Sequence, residues 1–532
     1  MKKALALILA LALILSLCAC GSKETTKTDS KEEQTQTNTT DASADTTGAP
    51  VAPVEKHIVI QTYTDNGNIS PYNMNTNAYP ITNNVYEPLW FHSPDWEEMV
   101  LATSIDRTDD VLHYVVHLRE SVTFSNGNPF NADDVLFSLK EYGESDIGGA
   151  VSTLIDYEKT AAKDDYTVDL YMAKFDPYWQ KTISGVLIVD KESYDKDSIK
   201  THPIGTGAYI LDSYTVGVGA ELSANPNYWG GRPDITSFSV KEMDEDTQVT
   251  TALETGELDV SYLAPTADLW YLDDMDRFSV YTESISKSNL TLFDQTEGSP
   301  FVDLNARLAV CYAIDNDSII SLAYEGLGAK PQSLFSTADP NFKPYHNDYT
   351  DIYKSSSSNI DKAKELVKAA GLEGAEITVA VQSTPTYKTE GELIQQNLVA
   401  AGFGKVNILA IDNSSFYTAL GDSSLWDIAI TGMTCADGTG LHTFQNLHTS
   451  IMSYLTFEGE DEFMAKIDAA YAIENDEERQ AAMDELTKYI IENALMYNNM
   501  DMSYGYVYNT DIEGFKIVVG RQIWVKDWTL NR

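Results

Sequence analysis

The stretch from Asn359 to Thr434 alternates between two hydrophobic periods, and this alternation restricts the fold more than any other feature. One helical face of "NIDKAKELVKAAGL" carries the apolar residues Ile360, Ala363, Leu366, Val367 and Ala370. Gly371 then stands at the position of a C-cap. The strand-like "EITVAV", the helical "GELIQQNLVAAGFG" and the strand-like "VNILAI" and "LWDIAIT" follow in order. A helix–strand–helix–strand–strand run predicts an α/β lobe with some parallel pairing.

The remainder of the chain predicts further lobes of mixed structure. "HIVIQTY" at residues 57–63 and "TVDLYMA" at residues 167–173 indicate strands, while "DEFMAKIDAAYAI" and "DEERQAAMDELTKYIIEN" indicate amphipathic helices. No short-period repeat and no Pro-rich or Gly-rich linker divides the region from residue 54 to residue 532. That region is too long for one simple core, so we expect two or three lobes whose segments interleave along the chain.

The N-terminus has the organisation of an export signal. Lys2 and Lys3 precede an apolar run over residues 4–17, which is shorter than the roughly 20 residues that a membrane-spanning helix needs. The sequence Leu17-Cys18-Ala19-Cys20 resembles the lipobox of bacterial lipoproteins. This resemblance implies a signal peptide over residues 1–19 and a lipid on Cys20. An ordinary secretory signal with a chance cysteine is the alternative.

Residues 20–53 are predicted to form a lipidated, disordered tether. They are mostly Thr, Ser, Lys, Glu, Gln, Asp and Ala, which cannot bury enough apolar surface to offset the chain entropy. A flexible segment of this length spans roughly 30 Å on average. The sequence therefore predicts a protein anchored to the extracytoplasmic face of the cell membrane and held just above it.

Charge and cysteine content exclude some function classes. The chain has 36 Lys and Arg against 81 Asp and Glu, a formal net charge of −45. This balance excludes a nucleic-acid partner, because phosphate binding requires a basic surface. We interpret the diffuse acidity as a well-solvated surface. After processing only Cys311 and Cys435 remain, too few for a disulfide framework, and whether they pair stays open.

Residues 112–142 carry the pattern that identifies a family. In "LHYVVHLRESVTFSNGNPFNADDVLFSLKEY", a strand ending in Leu-Arg leads through a turn into a helix. Asn126-Gly127 favours a hairpin turn, and Asn131 suits a helix N-cap followed by Asp133 and Asp134. This segment resembles the hallmark of the family 5 extracytoplasmic solute-binding proteins, the oligopeptide, dipeptide and nickel receptors of ABC importers. The same family is matched by "NVYEPLW", "PIGTGAYILDSY", "NPNYWGGRPDI", "QVTTALETGELDVSY" and "PFVDLNARLAVCYAIDNDSIISLAYEGLG".

The resemblance implies an architecture. The fold is expected to be α/β, of the periplasmic-binding-protein-like class II, with two lobes, a hinge and an extra inserted domain. Lobe I is expected from residues 54–91, 203–291 and 496–532, inserted domain II from residues 92–202, and lobe III from residues 292–495. Two crossovers between the lobes would form the hinge, and the lobes would close around a ligand.

The resemblance also implies ligand contacts. In the oligopeptide-binding relatives an aspartate in a Trp-Cys-Ala-Asp stretch pairs with the α-amine of the peptide. This chain has Thr434, Cys435, Ala436 and Asp437 there, so Asp437 is the expected amine partner, unless it merely begins the loop "DGTG". Thr434 in place of Trp and Leu441 in place of a frequent Pro alter the expected cleft wall. The size of the ligand therefore cannot be transferred from the relatives.

A second wall is expected from residues 65–84. This loop, "DNGNISPYNMNTNAYPITNN", is rich in Asn and Tyr, which offer hydrogen bonds and flat apolar faces to a variable ligand. By position, Tyr79 is expected to face the cleft. An ordinary surface loop with common turn-forming residues is the alternative.

Nickel-chelate and oligosaccharide receptors are the alternative functions. His113 and His117 lie in a predicted strand, where four residues span roughly 13 Å, so they cannot share an ion. His442 and His448 follow Asp437, and His448 is the nearer match to a histidine ligand of one nickel receptor. His442 is also a candidate contact in a peptide site. No Arg occurs over residues 141–149, where the nickel relatives place one for the carboxylate of the chelator.

An enzyme is not expected. The chain contains no G-x-S-x-G elbow and no H-E-x-x-H helix, so an anchored hydrolase is disfavoured. We expect no cofactor and no resident metal. The resemblance implies a monomeric receptor that captures peptides and delivers them to the permease and ATPase subunits of an ABC importer.

Overall fold

The computed structural model describes residues 55–73, 75–93, 96–262, 272–273, 275–331, 334, 358–434, 457–517 and 522–532. Among the helices in these ranges, none is both long and apolar enough to span a bilayer.

Most of the strands belong to one mixed sheet. The strands, in chain order, are β1 (His57–Thr62), β2 (Trp90–Ser93), β3 (Trp96–Met99), β4 (Ala102–Arg107), β5 (His113–Leu118), β6 (Ala161–Asp164), β7 (Thr167–Tyr171), β8 (Tyr209–Thr215), β9 (Gly219–Ala224), β10 (Ser237–Glu242), β11 (Val260–Ser261), β12 (Phe278–Phe293), β13 (Gly328–Ala329), β14 (Glu376–Gln382), β15 (Lys405–Ile411), β16 (Ile428–Thr434), β17 (Met496–Asn509), β18 (Ile512–Glu513) and β19 (Thr529–Leu530). Within the described ranges the large sheet has the order β15-β14-β16-β12-β17-β11-β1-β10-β9-β8, with β13 also paired to β17. A separate four-stranded sheet has the order β4-β5-β7-β6.

The helices pack on these sheets. They are α1 (Tyr79–Val85), α2 (Ala132–Gly143), α3 (Gly149–Leu154), α4 (Trp179–Ser184), α5 (Asp246–Thr255), α6 (Leu304–Ala313), α7 (Asn316–Ser318), α8 (Ile360–Ala369), α9 (Pro385–Ala400), α10 (Asn413–Leu420), α11 (Glu460–Tyr471) and α12 (Asp476–Glu492).

Two long strands, β12 and β17, cross the middle of the large sheet. They pair antiparallel from Phe278–Asn509 at one end to Leu292–Met496 at the other. Toward one edge β12 pairs with β16, and toward the other β17 pairs with β11, which pairs with β1. The pairing of β12 with β17 shifts register between Ser284 and Ser288 and again after Asn289. One continuous sheet therefore serves both halves of the molecule, with irregular pairing near its centre.

The buried side chains form separate clusters. One contains residues between Leu290 and Met500 and surrounds β14, β15 and β16. A second combines residues between Ile58 and Tyr262 with residues between Tyr506 and Leu530. A third contains residues between Leu89 and Ile188, together with Trp524. Segments distant in sequence thus share an interior, as expected for interleaved lobes.

The α/β prediction for residues 359–434 is confirmed, with one helix added. Asn359 caps α8 by accepting a hydrogen bond from the Lys362 backbone, and Gly371 has φ +71° just beyond the helix. Strand β14 pairs parallel with both β15 and β16. The predicted direct step between the last two strands was wrong, because α10 lies between them. Its short "NSSFYTAL" sequence is polar in its first turn, which concealed the helical period.

The hallmark segment has the predicted local structure. His113 and His117 lie on β5, and a bridge between Thr123 and Pro129 closes the predicted hairpin. Within this turn Gly127 has φ +92°, a left-handed conformation that favours glycine. Asn131 begins α2 with a reciprocal capping box. Its side chain accepts from the Asp133 backbone at 2.8 Å, while its own backbone donates to Asp134 at 2.9 Å.

Candidate functional site

Most of the predicted site residues lie outside the described part of the chain. These are Cys20, Cys435, Ala436, Asp437, His442 and His448. Thr434 is the last residue of β16, and only its backbone is described. Tyr79 is the first residue of α1 and is half-buried. The described residues therefore define the surroundings of Tyr79 and the strand that leads into the Asp437 segment.

Helix α1 is fixed to the C-terminal segment by Asn84. The Asn84 amide donates to the Pro80 carbonyl at 2.9 Å and to the Ile523 carbonyl at 3.1 Å. Its side-chain oxygen accepts from the Val525 backbone at 2.9 Å. Every polar atom of this buried amide is used, so α1 has a defined rotation about its axis.

The fixed rotation of α1 leaves Tyr79, Thr82 and Asn83 along a cavity of about 230 Å³. Residues three and four apart lie on one face of a helix, so these side chains form a continuous wall. The other walls come from the loop before α1, the region of the four-stranded sheet and the C-terminal segment, through Ser70, Pro71, Asn73, Asn75, Pro88, Tyr142, Ile147, Ser184, Gly185, Leu187, Gln522 and Trp524.

The described lining of this cavity combines apolar surface with polar side chains and carries no Asp, Glu, Lys or Arg. The loop amides mainly stabilise the loop: Asn73 donates to the Asn68 carbonyl at 3.2 Å, and Asn75 donates to the Asn66 side chain at 3.0 Å. Burial raises the pKa of the Tyr142 hydroxyl above its ordinary value, which keeps it neutral. The cavity therefore offers neutral hydrogen-bonding groups and aromatic faces.

A second polar surface lies where β12 meets β16. Lys287 directly opposes Thr434 in this pairing. A Cβ atom on Gly432 would come within 2.5 Å of Lys287 Cε and 2.8 Å of the Tyr387 hydroxyl, so glycine allows these side chains to approach the sheet. The Tyr417 hydroxyl lies 3.4 Å from the Thr431 hydroxyl on the same strand. A lysine and two tyrosines thus flank the entry to the Asp437 segment.

A buried carboxylate lies at one end of the crossing strands. Glu390 on α9 is fully buried and accepts hydrogen bonds from Asn289 of β12 at 2.5 Å, from Asn499 of β17 at 2.8 Å and from the Tyr324 hydroxyl at 2.9 Å. Burial raises the pKa of Glu390 to about 7, and these neutral donors only partly oppose that effect. The Asn289 side-chain oxygen is buried without a hydrogen-bond partner among the described residues. One titratable group therefore links both crossing strands to α9.

The amino-acid sequence matches the model of a known protein family over more than half of the chain. The model of the bacterial extracellular solute-binding proteins, family 5 (middle region), matches residues 98–450. The chain belongs to this family. Family 5 proteins are transport receptors with an extracytoplasmic location, so this protein binds a solute outside the cytoplasm and is not an enzyme.

Curated relatives of this family 5 protein are similar at low identity. Protein XP55 of Streptomyces lividans is 27% identical over 263 residues, which is 48% of this chain and 48% of that protein. The glutathione-binding protein GsiB of Pectobacterium atrosepticum is 26% identical over 385 residues, 70% of this chain and 73% of that protein. The match thus spans about half the length of protein XP55.

Solved structures share the fold across nearly the whole chain. The ABC transporter substrate-binding protein CtaP of Listeria monocytogenes has a TM-score of 0.80 at 21% identity, covering 90% of this chain and 100% of that one. DppA of Helicobacter pylori, in complex with the peptide STSA, has a TM-score of 0.71 at 22% identity, covering 90% and 98%. NikA of Staphylococcus aureus, in complex with Ni(L-His)₂, has a TM-score of 0.71 at 19% identity, covering 89% and 100%.

The two histidines of β5 are engaged by carboxylates. The His113 ring lies 2.9 Å from Asp169, and the His117 ring lies 3.0 Å from Asp106. The strand assignment that separates these two histidines is confirmed. Within the described ranges no group of three His, Cys, Asp or Glu side chains could hold a metal ion. Cys311 is buried on α6 with a free thiol.

Sequence analysis missed several residues that line the cavity beside α1. Tyr142, Leu187 and Trp524 join Tyr79 in one cavity although they are far apart in sequence. No local pattern marks them, because their proximity depends on how the segments interleave. Lys287 was also missed, although it is the one basic residue in the sequence of β12. A larger groove of about 500 Å³ lies between α11 and α12 and contains none of the predicted site residues.

Proposed function

We propose that this protein is a lipid-anchored receptor of an ABC importer that captures peptides in a closing cleft and delivers them to a permease and its ATPase. The observation that carries the proposal is the cavity of neutral hydrogen-bonding groups beside α1 in a family 5 fold. Such groups bind peptide backbone without requiring particular side-chain charges. Two similar proteins support peptides as the ligand class: the glutathione-binding protein GsiB, and DppA in complex with the peptide STSA.

The lobes are proposed as residues 54–91, 203–291 and 496–532 for lobe I, residues 92–202 for the inserted domain and residues 292–495 for lobe III. Three of the clusters of buried side chains support this division. The strands β12 and β17 would act as the hinge, because they run from one cluster to the other and their pairing is irregular near the middle. A ligand that contacts both lobes would shift the population toward the closed form.

Asp437 is proposed to bind the α-amine of the peptide. Removing one partner of a buried charge pair costs about 3–5 kcal/mol, more than a hundredfold in affinity. Asp437→Asn keeps the shape and removes the charge, so it should weaken a free peptide strongly and the N-acetylated peptide much less. Calorimetry on the four combinations of protein and peptide measures this coupling. Equal affinity in all four combinations would mean that Asp437 is only a structural residue of its loop. The assignment of a peptide as the ligand would then be refuted.

A nickel chelate is the second candidate ligand, favoured by the likeness to NikA in complex with Ni(L-His)₂. His448 would then supply the protein ligand. Titration of the protein with nickel and L-histidine distinguishes the candidates, because only this second function predicts saturable binding that His448→Ala abolishes. Thr434, Cys435, Ala436, Tyr79 and His442 are proposed to line the ligand in the peptide case.

The anchor is proposed to be a diacylglycerol on Cys20, with residues 20–53 as the tether. Two or more acyl chains give stable membrane attachment, whereas a single chain gives marginal attachment. The protein is proposed to act as a monomer, because each chain would carry both walls of its own cleft.

A further inference from the structure

Lys287 is a half-buried lysine beside the strand that leads into the Asp437 segment. It lies on β12, directly opposite Thr434 of β16, and the residue is partly exposed. Its ammonium group forms neither an ion pair nor a hydrogen bond with any residue in the described ranges. Lys405 of β15, by contrast, donates to Glu376 at 2.6 Å. A lysine that has lost part of its hydration without gaining a carboxylate is suited to bind an anion from outside the chain.

Gly432 allows the Lys287 side chain to lie across β16. A Cβ atom on Gly432 would come within 2.5 Å of Lys287 Cε, 3.1 Å of Lys287 Nζ and 2.8 Å of the Tyr387 hydroxyl. The ammonium group and the hydroxyl therefore meet above the same glycine. Gly432 is itself partly exposed, so the surface around this meeting point is accessible to a ligand.

Tyr417 on α10 adds a second hydroxyl to this surface. The residue is 36% exposed, and its hydroxyl lies 3.4 Å from the Thr431 hydroxyl. Burial raises the pKa of the Tyr387 hydroxyl above its ordinary value, and the neighbouring Glu390 and Tyr417 add to this effect, so Tyr387 stays neutral. A phenol hydroxyl and an ammonium group are both donors that suit a carboxylate.

Two carboxylates that adjoin this surface are bound by other groups. Glu390, one turn further along α9 than Tyr387, accepts three hydrogen bonds from neutral side chains. Asp501, which follows the residues opposite the bulge of β12 and pairs with Ser288, accepts from Asn498 at 2.8 Å. The described side chains of this surface thus present a cation and two hydroxyl groups, and neither carboxylate neutralises the cation.

We propose that Lys287, together with the hydroxyls of Tyr387 and Tyr417, binds a carboxylate of the ligand. The inference rests on the proposed peptide function and adds to it a preference for peptides that carry a carboxylate at this wall. In a peptide the carboxylate belongs either to a Glu or Asp side chain or to the C-terminus. Both sources offer the same two acceptor oxygens to the ammonium group and the hydroxyls.

The test measures binding of defined peptides to the full-length protein freed of bound ligand. The pool contains alanine di- to pentapeptides in which each position in turn carries Ala, Gln, Glu or Lys, and every peptide is made with a free and with an amidated C-terminus. Retained peptides are quantified by mass spectrometry after gel filtration. A side-chain carboxylate predicts that Glu is retained about tenfold over Gln at one position in both C-terminal forms. A C-terminal carboxylate predicts that amidation lowers retention about tenfold, the effect of about one charge-assisted hydrogen bond.

Substitutions of Lys287 separate a ligand-binding role from that of a solvated surface lysine. Lys287→Gln should abolish the native preference for the carboxylate and should leave the retention of neutral, amidated peptides unchanged. Lys287→Glu reverses the charge and should turn the preference toward Lys peptides. Lys364→Gln is the matched control, because it removes the same charge from an exposed position on α8 and should leave the profile unchanged. If Lys287→Glu does not fold, Lys287→Gln decides.

The outcomes distinguish this inference from the function beneath it. A native protein that retains peptides without preferring either kind of carboxylate overturns the carboxylate site and leaves the peptide function intact. The site is also overturned if Lys287→Gln keeps the native preference, or if it weakens neutral, amidated peptides as much as acidic ones. A native protein that retains none of the pool overturns the peptide function and this inference with it.

Discussion

Replacing Glu390 with Gln should remove a pH-dependent loss of stability. Burial raises the pKa of this carboxyl from 4.5 to about 7. Below pH 4.5 the group is protonated in the folded and the unfolded chain alike. Between these two values the unfolded chain releases the proton while the folded protein keeps it. The stability that this group contributes is therefore present at low pH and is lost as the pH rises through about 7.

The size of the effect follows from the shift. Each pKa unit corresponds to about 1.36 kcal/mol, so the shift corresponds to about 3 kcal/mol of unfolding free energy between pH 5 and pH 8. Gln has nearly the shape of protonated Glu and stays neutral throughout. Its amide nitrogen would replace an oxygen that now accepts from Asn289 or Asn499, so one of these two amides must turn its own oxygen toward the new donor. Glu390→Gln should exceed the stability of the native protein by less than about 1 kcal/mol at pH 5, where the unfolded chain has begun to release the proton, and by about 3 kcal/mol at pH 8.

Urea denaturation at pH 5, 6, 7 and 8, followed by tryptophan fluorescence, measures this difference. Glu392→Gln is the control, because Glu392 lies exposed on the same helix and its removal should leave the pH profile unchanged. If the native protein and Glu390→Gln lose stability in parallel between pH 5 and pH 8, Glu390 does not titrate in this window. The argument from burial would then be refuted.

Three further predictions test the fold, the anchor and the mechanism. Asn131→Ala removes one half of the capping box of α2 and should lower the free energy of unfolding by about 1–2 kcal/mol, measured by urea denaturation. Cys20→Ser should leave the protein released or unprocessed in a cell fractionation, and a processed variant that still sediments with membranes would disprove the anchor. A ligand-saturated protein should have a smaller radius of gyration in small-angle scattering than the ligand-free protein, and identical profiles would count against lobe closure.

Local features of the fold were predictable because their causes are local. The cap at Asn131, the left-handed glycines at 127 and 371 and the extended conformation of β14 all follow from side chains within a few residues. The helix α10 was missed because its first turn is polar, so its apolar side chains Phe416 and Leu420 form too short a pattern.

The sequence by itself determined the class of the protein: its α/β lobes and its membership of a solute-binding family. Only the tertiary structure decided which side chains meet. Asn83 and Asn84 are identical and adjacent, yet Asn84 is used entirely in fixing α1, while the buried Nδ2 atom of Asn83 has no hydrogen-bond partner in the described part of the chain. Likewise Glu390 lies in an ordinary helical pattern, and its raised pKa arises from burial against β12 and β17. These properties depend on contacts between distant segments, which hydrophobic periodicity does not encode.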